Sequence, residues 1–307
     1  MTKELNIIQI PKADIDAKIS EVLMSVFSLM EETERCGHKI IWDFKGIDFL
    51  HPFFISALAV YKDSFEGEIE TINICDTLKT GLDAVSFHSP LVFEKDTLPN
   101  TLLDEFTESH QAPICKFSVN YAYIDEMQTE LFSIISTLIK SRVNGWRPDS
   151  ALSYLLSELT CNIQEHSHAS HGFMIVQCPD SDDYLSICIA DNGITIHGSY
   201  INSNKPEYIR LIGNDHAEAI RYSTKGVSTK DRPANERGYG ISTNLNMVVN
   251  GLGGSFFLMS GQAFFRSDEN GEQFINLPES MNWDGTIILV RIPLKQDNDF
   301  NVYNFIE

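Results

Sequence analysis

The sequence predicts an α/β protein, with a two-layer α/β sandwich in its C-terminal part and a smaller α/β domain before it. Three observations predict this. Strand and helix signals alternate through roughly residues 1–100, an amphipathic helix is written over 149–168, and apolar runs punctuated by glycine follow it as far as residue 292.

Residues 5–10 read as a strand. Over 13–32, Ile15, Ile19, Val22, Leu23, Phe27 and Leu29 recur at helical spacing. Residues 40–44 form an apolar run fit for a buried strand, Gly46 supplies a turn, and Pro52 suits the first turn of a helix running to Lys62. A strand over 68–74 and a helix over 77–87 complete this part. Residues 90–114 carry Pro90, Pro99 and Pro113 with no clear period, so the domain boundary is placed there, giving domains over 1–105 and 115–295 and a tail over 296–307.

In the second domain, 115–123 reads as a strand, and 124–142 as a helix with Met127, Leu131, Ile134, Ile135 and Leu138 on one side. The helix over 149–168 has an apolar stripe of Leu152, Leu155, Leu156, Leu159 and Ile163. Two apolar runs, 172–178 and 184–190, flank a polar turn and read as a hairpin. Residues 194–236 are long and polar, with one short helix over 214–222, and are expected to form a functional loop or lid. A helical run over 241–249 and strands over 254–261, 264–266 and 287–292 close the domain.

The 307 residues are 43% hydrophobic and 10% aromatic, ample for a packed core and unlike a disordered chain. The net charge of −20 disfavours non-specific binding to nucleic acid and anionic membrane, and no basic run offsets it. The six cysteines include no CxxC pair and read as reduced thiols rather than a disulfide framework or zinc site. No signal-peptide core or membrane-length apolar run is present, so a cytoplasmic protein is expected.

Candidate chemistry begins on the 149–168 helix, where Glu158, Asn162 and His166 stand four apart and share one face. An acid, an amide and an imidazole in a row could orient a metal or a water, or form an ordinary polar face; spacing alone does not separate the two. Asp191-Asn192-Gly193 follows a strand and can present a fixed carboxylate. Arg237-Gly238-Tyr239-Gly240 precedes a helix, where free N–H groups favour an anion or simply end a turn. Asp284-Gly285-Thr286 turns into the last strand. There is no GxxxxGK[ST] loop and no GxGxxG after an early strand.

The order E-x-x-x-N-x-x-x-H, D-N-G, R-G-Y-G and G-T over about residues 121–293 resembles the GHKL ATPase superfamily, which includes histidine kinases, type II topoisomerases, heat-shock chaperones, MutL-type proteins and anti-sigma-factor serine kinases. The resemblance implies ATP and Mg²⁺ as cofactors. It makes Asn162 the metal ligand bridging the phosphates, Glu158 the catalytic acid that polarises water in hydrolysing members, and His166 a variable position near the phosphates. By the same resemblance Asp191 accepts from the adenine amino group, Gly193 lines the base pocket, Gly238 and Gly240 form the lid hinge, and Thr286 supports the adenine end. Lys230, in the second of two S-T-K triplets (223–225 and 228–230), matches a lid lysine. One departure is Thr195, which stands where the family often has a second glycine.

Roughly residues 1–100 resemble a STAS domain through the strand ending near Asp43, the segment 47–50 and the helix after it. Regulated members of that family carry a phosphorylatable serine at the start of this helix; here those positions are Pro52 and Phe53, so a docking or regulatory role is implied. The whole chain is therefore expected to be a Mg-ATP-binding regulatory protein, hydrolysing ATP or phosphorylating a serine of a protein partner. The alternative is a nucleotide-gated protein-interaction module without catalysis. A protein partner is implied, with a homodimer as a second class, and no specific nucleic-acid or membrane binding.

Overall fold

The computed structural model describes residues 6–12, 19–84, 87–93, 114–119, 149–178, 183–229, 240–294 and 300–305, together with helical positions 128–129, 132–133, 135–137 and 139–140. It is a mixed α/β protein with two sheets. The chain divides into two compact units, Met1–Pro90 and Leu91–Glu307.

The first unit carries β1 (Asn6–Gln9), β2 (Lys39–Asp43) and β3 (Glu68–Ile72) in a parallel sheet of order β1-β2-β3. The strands are linked by α1 (Ile19–Cys36) and α2 (Pro52–Ser64), and α3 (Asp76–Ala84) follows β3. Parallel neighbours need such crossovers, which is why strand and helix alternate in the sequence. Trp42 is wholly buried and satisfies its indole N–H on Thr33 Oγ1 at 3.2 Å. Pro52 opens α2, and His51 caps it by accepting the Phe53 N–H at 3.2 Å. Phe53 through Tyr61 are all buried, the signature of a core helix rather than a surface one.

The second unit has an eight-stranded sheet of order β10-β9-β8-β11-β7-β6-β5-β4. Its strands are β4 (Leu91–Phe93), β5 (Cys115–Ser118), β6 (His171–Gln177), β7 (Tyr184–Asp191), β8 (Ser255–Gly261), β9 (Ala263–Asp268), β10 (Gly271–Asn276) and β11 (Trp283–Pro293). β4 and β5 pair in parallel, and every other neighbour is antiparallel. β4 lies within the segment whose sequence shows no period, yet it is the edge strand of this sheet. β10 is unannounced in the sequence because its strand GEQFIN is polar and mostly exposed at the opposite edge.

Register places Cys115, Met174, Ile189, Ile288, Leu258, Phe265 and Phe274 in one row across seven strands. That apolar row packs against Leu152, Leu155, Leu156, Leu159 and Ile163, the stripe of α4 (Asp149–Asn162) and the turn after it. Burying five such side chains contributes roughly 1.5–3 kcal/mol each and fixes which face of α4 is left for polar residues.

The described part of the polar segment 194–236, residues 194–229, is not the long loop expected from its polarity; 230–236 lie outside the described residues. Three short helices occupy most of the segment: α5 (Ile196–Asn202), α6 (Pro206–Ile212) and α7 (His216–Thr224). Thr195 caps α5 by accepting the Gly198 N–H, and Asp215 caps α7 by accepting the Glu218 N–H. Tyr200, Ile212 and Ala219 give the three helices a small core of their own, and His197 and His216 stack at 4.2 Å between α5 and α7. α7 covers the short helix expected over 214–222, whereas α5 and α6 are too short to show a period in a sequence stretch dominated by polar residues. The helix after them is α8 (Gly240–Asn246).

Candidate functional site: a cleft between the α4 helix and the sheet

α4 does not end at Asn162 but widens into a π-turn over Ile163–Ser167, with His168 closing it in the left-handed region at φ 55°. Such turns change the phase of a helix and recur at functional sites. Ser167 holds this end: its hydroxyl donates to the Ile163 carbonyl at 2.6 Å and accepts the Ala169 N–H at 3.0 Å. The Ser167 carbonyl accepts the Ile194 N–H, tying the helix end to the turn after β7. That turn must carry Gly193, because a Cβ there would lie 2.0 Å from the Ser167 oxygen.

Above this junction lies an open cleft whose non-atom space, mouth included, is about 850 Å³. Asn162, His166, Asp191, Gly240 and Thr286, drawn from four separate stretches of sequence, all line it. Glu158 and Gly193 stand at its border. Gly193 packs behind the wall as just described, while Glu158 Oε2 is 3.6 Å from where a Gly240 Cβ would be, beside Asn162 Oδ1 at 3.4 Å. Gly240, at φ 42°, therefore brings the start of α8 onto the Glu158–Asn162 face in a conformation that favours glycine. Lys230 and Gly238 lie outside the described residues.

Asp191 ends β7 and is 2% exposed. Its Oδ1 accepts the Gly193 N–H at 2.8 Å, and the Thr286 N–H also donates to the carboxylate. Burial outweighs both donors and pushes its pKa up to about 7. Thr286 reaches it through an irregularity in β11 between Trp283 and Thr286, where Gly285 at φ 97° lets the chain pass against the Asp191 carbonyl. A second hydroxyl pins the same corner. Ser260 Oγ donates to the Gly285 carbonyl at 2.8 Å, meets Thr286 Oγ1 at 3.1 Å and accepts the Ile196 N–H at 2.8 Å.

At the Asn162 end the amide Nδ2 is buried without a hydrogen-bond partner. An unsatisfied buried amide is costly. Tyr154, one turn before Glu158, hydrogen-bonds to Glu158 and Thr243; burial first, then the Glu158 charge, raises its pKa. No cluster of three or more His, Cys, Asp or Glu side chains fit for a metal occurs among the described residues. Mg²⁺ bound mainly through phosphates and water needs only one or two protein oxygens.

The cleft also contains Ser199 and Tyr200, which the sequence motifs do not single out, with Ile189 and Ile288 from the sheet and Thr195, two residues after Gly193. From the two S-T-K triplets it is the hydroxyl residues Ser223, Ser228 and Thr229 that line the wall. Ser199 and Tyr200 carry no sequence signal of their own, because α5 is too short to show a period. Comparison of the chain with protein-family models, with curated proteins and with solved structures finds no match.

Proposed function

We propose that this protein binds Mg-ATP in the cleft between α4 and the sheet, in the manner of a GHKL ATPase domain, and uses the nucleotide to act on or engage a protein partner. One observation carries the reading: five residues nominated by motif order alone, Asn162, His166, Asp191, Gly240 and Thr286, converge on one cleft. A chance set of turns and polar faces would scatter over the surface.

The chemistry agrees with the assignment. The buried Asp191 carboxylate is an acceptor with backbone donors already fixing its orientation, suited to an exocyclic amine between apolar walls of Ile189 and Ile288. Asn162 has an unspent amide, which can present its oxygen or its nitrogen to the cleft by rotation about χ2. Asn162 would hold Mg²⁺, which when bound neutralises phosphate charge. Glu158, hydrogen-bonded by Tyr154 at the border beside Gly240, is oriented to accept a proton from a water or hydroxyl. The first unit, similar to a STAS domain, would serve as the regulatory or docking module.

Calorimetry of the full chain with ATP and Mg²⁺ tests this. Binding that Asn162→Ala abolishes, with Glu158→Ala binding normally but losing turnover, is the expected result. An absence of binding heat and of competition by any adenine nucleotide overturns the reading. Partner capture that needs ATP yet is unchanged in Glu158→Ala identifies the interaction module without catalysis instead.

A further inference from the structure

We infer that Ser199, Thr229 and His166 form a sugar subsite that selects ribonucleotides over 2′-deoxyribonucleotides; this rests on the nucleotide reading above. All three side chains line the cleft. They form a chain across it, with Ser199 Oγ 3.3 Å from Thr229 Oγ1, and Thr229 Oγ1 3.3 Å from His166 Nδ1. Bonds to a hydroxyl are commonly about 2.7–2.8 Å, so these are loose contacts that a better-placed hydroxyl can replace.

Position assigns the subsite to the sugar. His166 lies one turn beyond Asn162, and its neighbour Ser167 is bonded to Ile194 in the turn that carries Asp191. At the other end, Asn162 and Glu158 approach Gly240. The chain of hydroxyls and imidazole therefore stands between the carboxylate proposed to read the base and the amide proposed to meet the phosphates. The part of a nucleotide between base and phosphates is its sugar.

Thr229 is held in place from behind. The Tyr208 hydroxyl donates to the Ser228 carbonyl at 3.0 Å and the Tyr200 hydroxyl donates to the Val227 carbonyl, while the two rings pack edge to face at 5.3 Å. This anchors residues 227–229 to α5 and α6 and pre-organises the hydroxyl, so little ordering is left for the ligand to supply. A 2′-hydroxyl both donates and accepts, as do the threonine and serine hydroxyls and a neutral imidazole, and it is the group that distinguishes ribose from deoxyribose.

The experiment is calorimetry of the full chain with Mg-ATP and Mg-2′-deoxyATP, on the native protein and on Thr229→Val and Thr229→Ser. The native protein should bind ATP about tenfold more tightly than 2′-deoxyATP, the worth of one good hydrogen bond. Thr229→Val should bring the ATP-to-2′-deoxyATP preference down to about one, and Thr229→Ser should restore it. Equal affinity of the native protein for both nucleotides overturns this inference and leaves ATP binding standing, with no need for any variant to fold. Failure to bind either nucleotide overturns both.

Discussion

Asp191 concentrates the electrostatics of the cleft in one side chain. Its pKa of about 7 stands well above the ordinary carboxylate value, so between roughly pH 4 and 7 the folded protein keeps a proton that the unfolded chain has released. Folding stability must then fall as pH rises through that window, with the full loss reached above about pH 7. Melting temperatures taken from pH 5 to 8 should show this decline, and Asp191→Asn should flatten it. If Asp191 accepts from an amine, nucleotide affinity should move the opposite way and tighten as pH rises through 7, because only the ionised form accepts fully. Gly193 makes a steric demand of the same sharpness. A methyl group 2.0 Å from the Ser167 oxygen forces the turn off the end of α4, so Gly193→Ala should cost about 1–3 kcal/mol in denaturant unfolding.

At the scale of elements, α4 and α8 show how an apolar stripe and a polar face divide the work. The leucines of α4 lock it to the sheet, and both helices widen into π-turns, over Ile163–Ser167 and Met247–Gly251. α8 also carries Asn244, which is wholly buried with neither end of its amide hydrogen-bonded. Leucine has similar volume and no polar group to strand, so Asn244→Leu should stabilise the protein by about 1–2 kcal/mol. Chemical denaturation checks this; a loss of stability would mean that the amide is satisfied by water. Ser167→Ala is the converse case, because it strands the Ala169 N–H in a buried site and should cost about 1–2 kcal/mol.

For the whole molecule, the consequence of the proposed function is a ligand-dependent gain in stability. Anything bound only by the folded state adds about 2.7 kcal/mol at one hundred times its dissociation constant, so Mg-ATP should raise the melting temperature and Asn162→Ala should remove the rise. No helix among the described residues is long and apolar enough to cross a membrane. The two units divide at Pro90–Leu91, so the strand Leu91–Phe93 is read with the second sheet although no periodicity marks it. A three-residue strand is too short to declare a period, and its partner β5 is the only thing that defines it.

The sequence by itself determined the elements whose apolar side chains recur regularly enough to bury one face: the α4 stripe, the β6–β7 hairpin, the last strand and the alternating strands and helices of the first unit. It also nominated Asn162, Asp191, Gly240 and Thr286, because four short motifs, each weak alone, follow one another in a recognisable order. Only the tertiary structure decided that these residues share a cleft, since sheet register and helix packing join positions far apart in the chain. It alone showed the two helices over 196–212, because such short polar helices are held by the Thr195 cap and a small shared core rather than by their own period. The Ser199–Thr229–His166 chain belongs to this second kind: three ordinary polar residues acquire a common role only where α5, the segment after α7 and the end of α4 meet.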